Sequence, residues 1–282
     1  MVRASQAQFD QPAVMALKLF QVDAFAEKPF EGNPAAVVPL ERWLDDGVMQ
    51  KIAMENNLSE TAFFVRIGDG RYDLRWFTPA VEVPLCGHAT LASAWVVFNT
   101  LAPELTRVEF STKSGILTVE RAEDDLLAMT LPAYQAQPKA MAFGDDLAQV
   151  FGRKPLEVFS ANYSLAVFAS ESDIAALDSG GALPDVLIRH GELGVIVTAK
   201  GGQSGFDFVS RFFVPGRGVA EDPVTGAAHA ALVPFWARRL GKTKMRARQI
   251  SARGGTLICE LQGDRVVLKG TCVLYLTGVI SV

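Results

Sequence analysis

Cys86-Gly87-His88-Ala89-Thr90-Leu91-Ala92-Ser93-Ala94-Trp95-Val96-Val97-Phe98 carries no acid, lysine or arginine, and from Ala89 onward it is small or apolar on every side. A helix of that composition has to be surrounded by protein. A second such stretch occurs downstream, Thr225-Gly226-Ala227-Ala228-His229-Ala230-Ala231-Leu232-Val233, with Gly226 in the place of Gly87. Two fully enclosed helices, each starting at a glycine, set the expectation for the whole chain.

The similarity extends to both sides. Upstream, Arg75-Trp76-Phe77-Thr78-Pro79 resembles Arg211-Phe212-Phe213-Val214-Pro215, and downstream Ser111-Thr112-Lys113-Ser114-Gly115-Ile116-Leu117 resembles Ser251-Ala252-Arg253-Gly254-Gly255-Thr256-Leu257. Three matches in one order, at an offset constant to within a few residues, indicate an internal repeat. Its period is too long for a solenoid, so the chain reads as two related domains, residues 16–132 and 156–271. Residues 1–15 form an N-terminal extension, and residues 133–155 a linker and entry in which Ala133–Pro138 has turn-rich character. The last strand, residues 272–282, follows the second unit and is free to return to the first. Within the units, Leu17–Phe25, Ala35–Val38, Thr61–Val65, Asp73–Phe77, Glu157–Phe159, Ser164–Phe168, Leu193–Thr198 and Phe206–Phe213 are short and rich in β-branched or aromatic residues, as strands are. Leu44–Asn56 reads as an amphipathic helix. The economical architecture is α+β, with one sheet wrapped round a central helix in each of two pseudo-symmetric domains.

Bulk properties narrow the function. The 282 residues are 49% hydrophobic and 21% charged, ordinary globular values, and a net charge of −4 argues against a polyanion as main partner. Three cysteines, Cys86, Cys259 and Cys272, include no close pair, which fits a reducing compartment better than a disulfide framework. The three histidines, His88, His190 and His229, lack metal-ligand spacing, so no metal is expected. Met1–Ala13 shows no apolar core of a leader peptide, and the longest apolar runs are too short to span a bilayer; a cytoplasmic protein is expected. Arg238, Arg239, Lys242, Lys244, Arg246, Arg248 and Arg253 crowd a stretch without acids, but no aromatic lies between Ala237 and Cys259 for base stacking, so a nucleic-acid surface is not expected.

The chemistry centres on the helix starts. Free N–H groups and the positive dipole end of a helix bind anions. If both starts face one cleft, they form a site for a small carboxylate and stabilise a carbanion or enolate developing beside it. Each glycine on its own is equally explained by tight packing of helix on strand. Glu60, in Asn57-Leu58-Ser59-Glu60-Thr61, sits at a helix-to-strand junction. Partial desolvation there would raise its pKa and make it a base, whereas a solvated loop acid fits the same position. Asp222 precedes the second helix, where capping is the alternative role. His88 at a helix start has its cation disfavoured and reads as a neutral donor. Cys86 could be an activated thiol, but the position equivalent to it is Thr225, which excludes a symmetric two-thiol racemase.

Phe30-Glu31-Gly32-Asn33-Pro34-Ala35-Ala36-Val37-Val38, Asn57–Thr61, Phe77-Thr78-Pro79 through Cys86-Gly87-His88-Ala89-Thr90, and Glu221-Asp222-Pro223-Val224-Thr225-Gly226 resemble the four signature blocks of the PhzF-like (phenazine-biosynthesis) family, in the family's order. The resemblance implies a diaminopimelate-epimerase-like fold: two pseudo-symmetric domains, each a barrel-like, mostly antiparallel sheet round a central helix. It further implies an active site between the domains, a homodimer, and a cofactor-free isomerase whose glutamate moves a proton from one carbon to another. The family's phenazine enzyme acts on a dihydro-hydroxyanthranilate. Carried over, Glu60 is the acid/base, and His88 and Asp222 are its catalytic partners. Asn33, Gly87, Thr225, Gly226 and Ala227 bind a small carboxylate substrate. Ala227 stands where the family often has serine, which puts the phenazine substrate in question. The rival functions are an epimerase or racemase using Cys86 and a non-catalytic metabolite-binding protein on the same fold.

Overall fold

The computed structural model describes residues 15–178, 180–202 and 204–282; the expectations for the N-terminal extension and a leader fall on residues outside these. The stretch after Cys86 is a helix, Gly87–Val96, continued by a π-helical turn, Val97–Leu101. Ala89, Leu91, Ala92, Ala94, Val96, Val97 and Phe98 have no exposure to solvent. Its counterpart is the helix Gly226–Leu240, whose residues from Ala228 to Ala237 are all buried. Around the first helix run Ala16–Ala24, Asn33–Leu40, Glu60–Gly68, Arg71–Phe77, Arg107–Thr112, Gly115–Arg121 and Leu127–Pro132. Around the second run Glu157–Ser160, Ser164–Val167, Val195–Lys200, Phe208–Val214, Lys244–Gln249, Gly255–Gln262 and Arg265–Gly270. Pairing is mostly antiparallel. The parallel pairs are repeat-related: Arg71–Phe77 with Arg107–Thr112 is mirrored by Phe208–Val214 with Lys244–Gln249.

The two halves share one sheet. Leu127–Pro132 pairs antiparallel with Arg265–Gly270, Met129 opposite Leu268. The final strand, Cys272–Ser281, lies antiparallel on Ala16–Ala24, so the end of the chain returns to the first half. Each half therefore borrows its closure from the other, and the seam runs beneath the starts of both central helices.

Three local differences from the sequence reading have physical causes. Within the presumed linker, Met141–Phe151 is a helix whose Phe143, Leu147 and Phe151, spaced four apart, form one apolar stripe. They pack with Val158, Ile174, Leu187, Val195 and Phe213 in the core of the second half. The amphipathic helix begins at Asp46 rather than Leu44, because Trp43 and Leu44 pack against the core beside it. The second central helix continues past Val233 through Pro234 to Leu240. A proline inside a helix leaves the carbonyl four residues earlier without its donor. Here that carbonyl, Ala230 O, accepts from the backbone N–H of Tyr134 at 2.9 Å, which ties the segment between the halves to the second helix.

Candidate active site

The two helix starts meet. A Cβ placed on Gly87 would lie 3.5 Å from the Cα of Gly226, and one on Gly226 would lie 3.7 Å from the Cα of Gly87. A Cβ on Gly87 would also press on the end of Met129 at 3.1 Å, whereas one on Gly226 would make only ordinary contacts. The N-cap residues, Cys86 and Thr225, have extended backbones and neither side chain caps its helix, which leaves first-turn N–H groups unclaimed. Both first turns line a cavity of about 390 Å³ between the halves, together with Glu60, Tyr134, Asn162, Tyr163, Arg217 and Asp222.

Glu60 opens the strand Glu60–Gly68 after the left-handed Asn57 ends the preceding helix. Its side chain is only 18% exposed, with Oε2 3.2 Å from Nε2 of the buried His88. It is thus no solvated loop acid. The contact is close but not aligned as a hydrogen bond, and neither atom has another partner.

On its other side the His88 ring meets Cys86 Sγ at 3.5 Å and Asn33 Nδ2 at 3.1 Å, both at Nδ1. Asn33 Nδ2 has shorter contacts with Asp222 Oδ1 at 2.8 Å and Val224 O at 2.9 Å, and its two protons go there. Nδ1 then faces the thiol sulfur, and Nε2 carries a proton towards Glu60.

Burial works against a charged His88, while the thiol and Glu60 favour the charge. Burial also pushes the Cys86 thiol up to about 11, so the sulfur is protonated near neutrality and Glu60 is the partner that supplies a charge. His88 is consequently held well above its ordinary value. The helix start does not dictate a neutral ring, as the sequence alone suggested, because the carboxylate is nearer and carries a full charge. The ligand atoms of Glu60, Cys86 and His88 lie within 4.8 Å of one another. Thiol and carboxylate nevertheless face different ring nitrogens.

Asp222 ends the strand Val219–Asp222 and reaches the cavity from the second half. Burial pushes its carboxyl up to about 6, against the pull of His88 and of donors from Thr225 and Asn33. The Thr225 hydroxyl donates to Asp222 Oδ2. Gln249 in turn receives the Thr225 N–H at 2.9 Å and donates to the Asp222 carbonyl at 2.6 Å.

Two expected substrate-binding residues therefore have other placements. Asn33 is fully buried outside the cavity lining and is a strut joining His88 to Asp222 across the halves. Thr225 lines the cavity, yet its hydroxyl and N–H are both engaged in holding Asp222. Gly87, Gly226 and Ala227 line the cavity as expected. Ala227 brings no hydroxyl, and its carbonyl accepts from Asn162 Nδ2 at 2.9 Å.

Thr225→Val, which keeps the shape and removes the donor, is expected to lower kcat/KM at pH 7 about tenfold, the weight of one charge-assisted hydrogen bond. It should also move the acidic limb of the pH profile upward, and Thr225→Ser should restore both.

Sequence reading missed Gln249, Asn162, Tyr134, Tyr163 and Arg217. Gln249 is the one uncharged polar residue at the end of a basic strand and carries no motif. The others converge on the cavity from separate segments, so no local spacing could reveal them. Asn33 has its own latch. Gly32, at φ +67, leaves no room for a side chain, since a Cβ would fall 2.2 Å from Ala24 O. Its carbonyl and that of Glu31 accept from Arg253, which also pairs with buried Asp23 at 2.9 Å.

The chain is similar to known proteins in sequence and fold. The family described as phenazine biosynthesis-like protein (PhzC-PhzF) matches residues 22–278. An uncharacterized isomerase of Pseudomonas aeruginosa is 52% identical over 266 residues, covering 94% of this chain and 98% of the other. A crystal structure of a PhzF-family phenazine biosynthesis protein from Enterococcus faecalis superposes with a TM-score of 0.86 at 41% identity, over 94% of this chain and 99% of the other. A hydroxyproline epimerase from Agrobacterium vitis shares the fold alone, with a TM-score of 0.64 at 12% identity over 95% of this chain and 93% of the other. With two epimerase-like halves, abutting helix starts and a family match over nearly its whole length, the chain belongs to the phenazine biosynthesis-like (PhzF) family of isomerases.

Proposed function

We propose that this isomerase shifts a proton between two atoms on one face of a small carboxylate-bearing substrate, with Glu60 as the only proton carrier and no cofactor. One observation carries the reading: a half-buried carboxylate lies 3.2 Å from a buried imidazole, at the edge of a cavity floored by two helix N-termini. The substrate carboxylate docks on the first-turn N–H groups. Glu60 takes a proton from a C–H made acidic by that carboxylate or by conjugation with it. The bonding pair left behind delocalises into the substrate, where the helix ends offset its charge. Glu60, now a carboxylic acid, returns the same proton to a second atom of the delocalised system, and the net result is an isomer with no change in composition. His88 faces the Glu60 carboxylate through Nε2 and holds it at the cavity edge. Asp222 accepts a hydrogen bond from a substrate hydroxyl or amine on the opposite wall.

Cys86 has no part in this scheme beyond its contact with His88, because a thiol pushed up to about 11 is a poor base at neutral pH. The three free cysteines fit a reducing, cytoplasmic setting. The test is a screen of small cyclic and unsaturated carboxylic acids and amino acids in deuterated water, followed by NMR at carbon. Exchange that survives Cys86→Ala and is absent in Glu60→Gln supports the reading. Exchange that depends on Cys86 instead would make the protein a thiol epimerase, and binding with no exchange for any acid would make it a metabolite-binding protein.

A further inference from the structure

Three places after its leading glycine each central helix carries a fully buried polar residue, Thr90 in the first half and His229 in the second. The two positions are equivalent in the repeat, and their side chains do the same thing. Thr90 Oγ1 donates to the Cys86 carbonyl at 2.5 Å, and His229 Nδ1 lies 2.8 Å from the Thr225 carbonyl. Each carbonyl also faces the backbone N–H of that same residue, at 3.4 Å for Thr90 and 3.2 Å for His229. Both N-cap carbonyls therefore accept twice.

A threonine that bonds the carbonyl four residues back is ordinary, and Ser93 does so to Ala89 at 2.7 Å in the same helix. The histidine is not. A carbonyl can only accept, so Nδ1 bears the ring proton and Nε2 is left with a lone pair. That nitrogen is buried and has no partner among the described residues, while the ring lies beside Phe208 in the core. Burial pushes the ring down to about 4, which keeps it neutral near pH 7. An unmade hydrogen bond in a core costs stability, and an aliphatic side chain would avoid the cost. What the histidine offers instead is one donor fixed on one carbonyl.

The Cys86 carbonyl and the Gly87 N–H belong to one peptide group, as do the Thr225 carbonyl and the Gly226 N–H. A hydrogen bond accepted at the oxygen of a peptide group draws charge from its nitrogen and strengthens the N–H as a donor. Both glycines line the cavity, and neither N–H is engaged by another group among the described residues. We infer that Thr90 and His229 are positioning residues of the isomerase, which orient and polarise the peptide groups whose Gly87 and Gly226 N–H donors hold the substrate carboxylate. Neither side chain lines the cavity, so each acts through one peptide group. The inference rests on the proposed docking of a carboxylate at the helix starts and adds the residues that tune it.

Acetate serves as the probe, titrated into the isotope-labelled chain and followed by NMR at the Gly87 and Gly226 amides. In the unmodified chain both amide protons should move downfield as acetate binds. Without acetate, His229→Leu should move the Gly226 amide upfield and leave Gly87 in place, and Thr90→Val should do the reverse. Each should weaken acetate binding about threefold, and both together about tenfold, as polarisation of one charge-assisted bond apiece implies. Thr90→Ser and His229→Asn keep a donor near the same carbonyl and should restore the parental values, whereas a packing defect would persist in the smaller asparagine. The His229 ring gives a reading that needs no variant to fold: its nitrogen signals should place the proton on Nδ1 at pH 7. Acetate that moves neither amide in the unmodified chain would remove the docking reading and this inference with it. Equal acetate affinity in the unmodified chain, His229→Leu and Thr90→Val, or a His229 proton found on Nε2, would overturn this inference alone.

Discussion

Glu60→Gln is expected to lower turnover by about 10³-fold or more, the weight of a general acid–base group, while leaving the unfolding temperature within a few degrees of the parent. The substitution keeps the length and shape of the side chain and a carbonyl oxygen that can face His88 Nε2 from 3.2 Å. It removes the one property the mechanism needs, the capacity to hold a proton and give it back. A second readout separates this from a merely structural loss. His88 stands well above its ordinary value in part because Glu60 is charged. With a neutral amide in that place, burial acts almost alone and the imidazole should titrate lower, a change visible in its ring NMR signals. Glu60→Asp, one methylene shorter, should retain part of the activity and keep the His88 titration high. If Glu60→Gln exchanges deuterium into substrate at the parental rate, the carboxylate is not the base.

Asp222→Asn should act in opposite directions on activity and on stability. Both carboxylate oxygens accept hydrogen bonds, from Asn33 at Oδ1 and from Thr225 at Oδ2, an arrangement that suits the ionised form. Burial nonetheless raises the carboxyl from 3.8 to about 6. The sign of the linkage follows. Between those two values the native state binds more protons than the unfolded chain, so stability falls as pH rises through this window and is level above it. The difference corresponds to at most about 3 kcal/mol, lessened by the water that reaches the cavity wall.

Without an ionisable group the variant lacks this slope, so it should unfold at the same or a higher temperature than the parent at pH 7–8 and lose the advantage near pH 4. Its turnover should fall about 100-fold, because an amide neither carries the negative charge nor accepts hydrogen bonds at both atoms. In the parent, kcat/KM should decline as pH falls through about 6, where protonation displaces one donor from Asp222. Thermal melts and pH–rate profiles of both proteins measure all of this. A variant that is less stable than the parent at pH 8 and no slower would remove Asp222 from the site.

Several parts of this arrangement are legible in the sequence for local reasons. The segments after Gly87 and Gly226 have no polar face, so any fold must enclose them, and the repeated Arg-aromatic and Ser-x-x-x-Gly segments tie each to an equivalent set of strands. Glu60, His88 and Asp222 are recognisable because each occupies a junction next to a glycine or a turn. By contrast, Asn33 carries the same motif-level signal as the cavity-lining glycines yet lies behind the wall, and Thr225 lines the cavity with its hydroxyl turned to Asp222, so nothing local separates a residue that lines a cavity from one that braces its wall. The helix Met141–Phe151 was hidden for a related reason: its apolar stripe is clear, but the turn-rich residues before it invite a linker reading.

What the amino-acid sequence determined by itself was the repeat, the two enclosed helices and the junctions at which polar side chains emerge, since these depend on composition and periodicity over a few neighbouring residues. Tertiary structure alone decided that the two glycines come together, that Glu60 lies against His88 instead of in water, that Asn33 and Gln249 brace Asp222, and that the last strand returns to the first half. Those outcomes depend on which distant segments share a boundary. The shared sheet at Leu127–Pro132 and Arg265–Gly270, and not any single segment, brings them together.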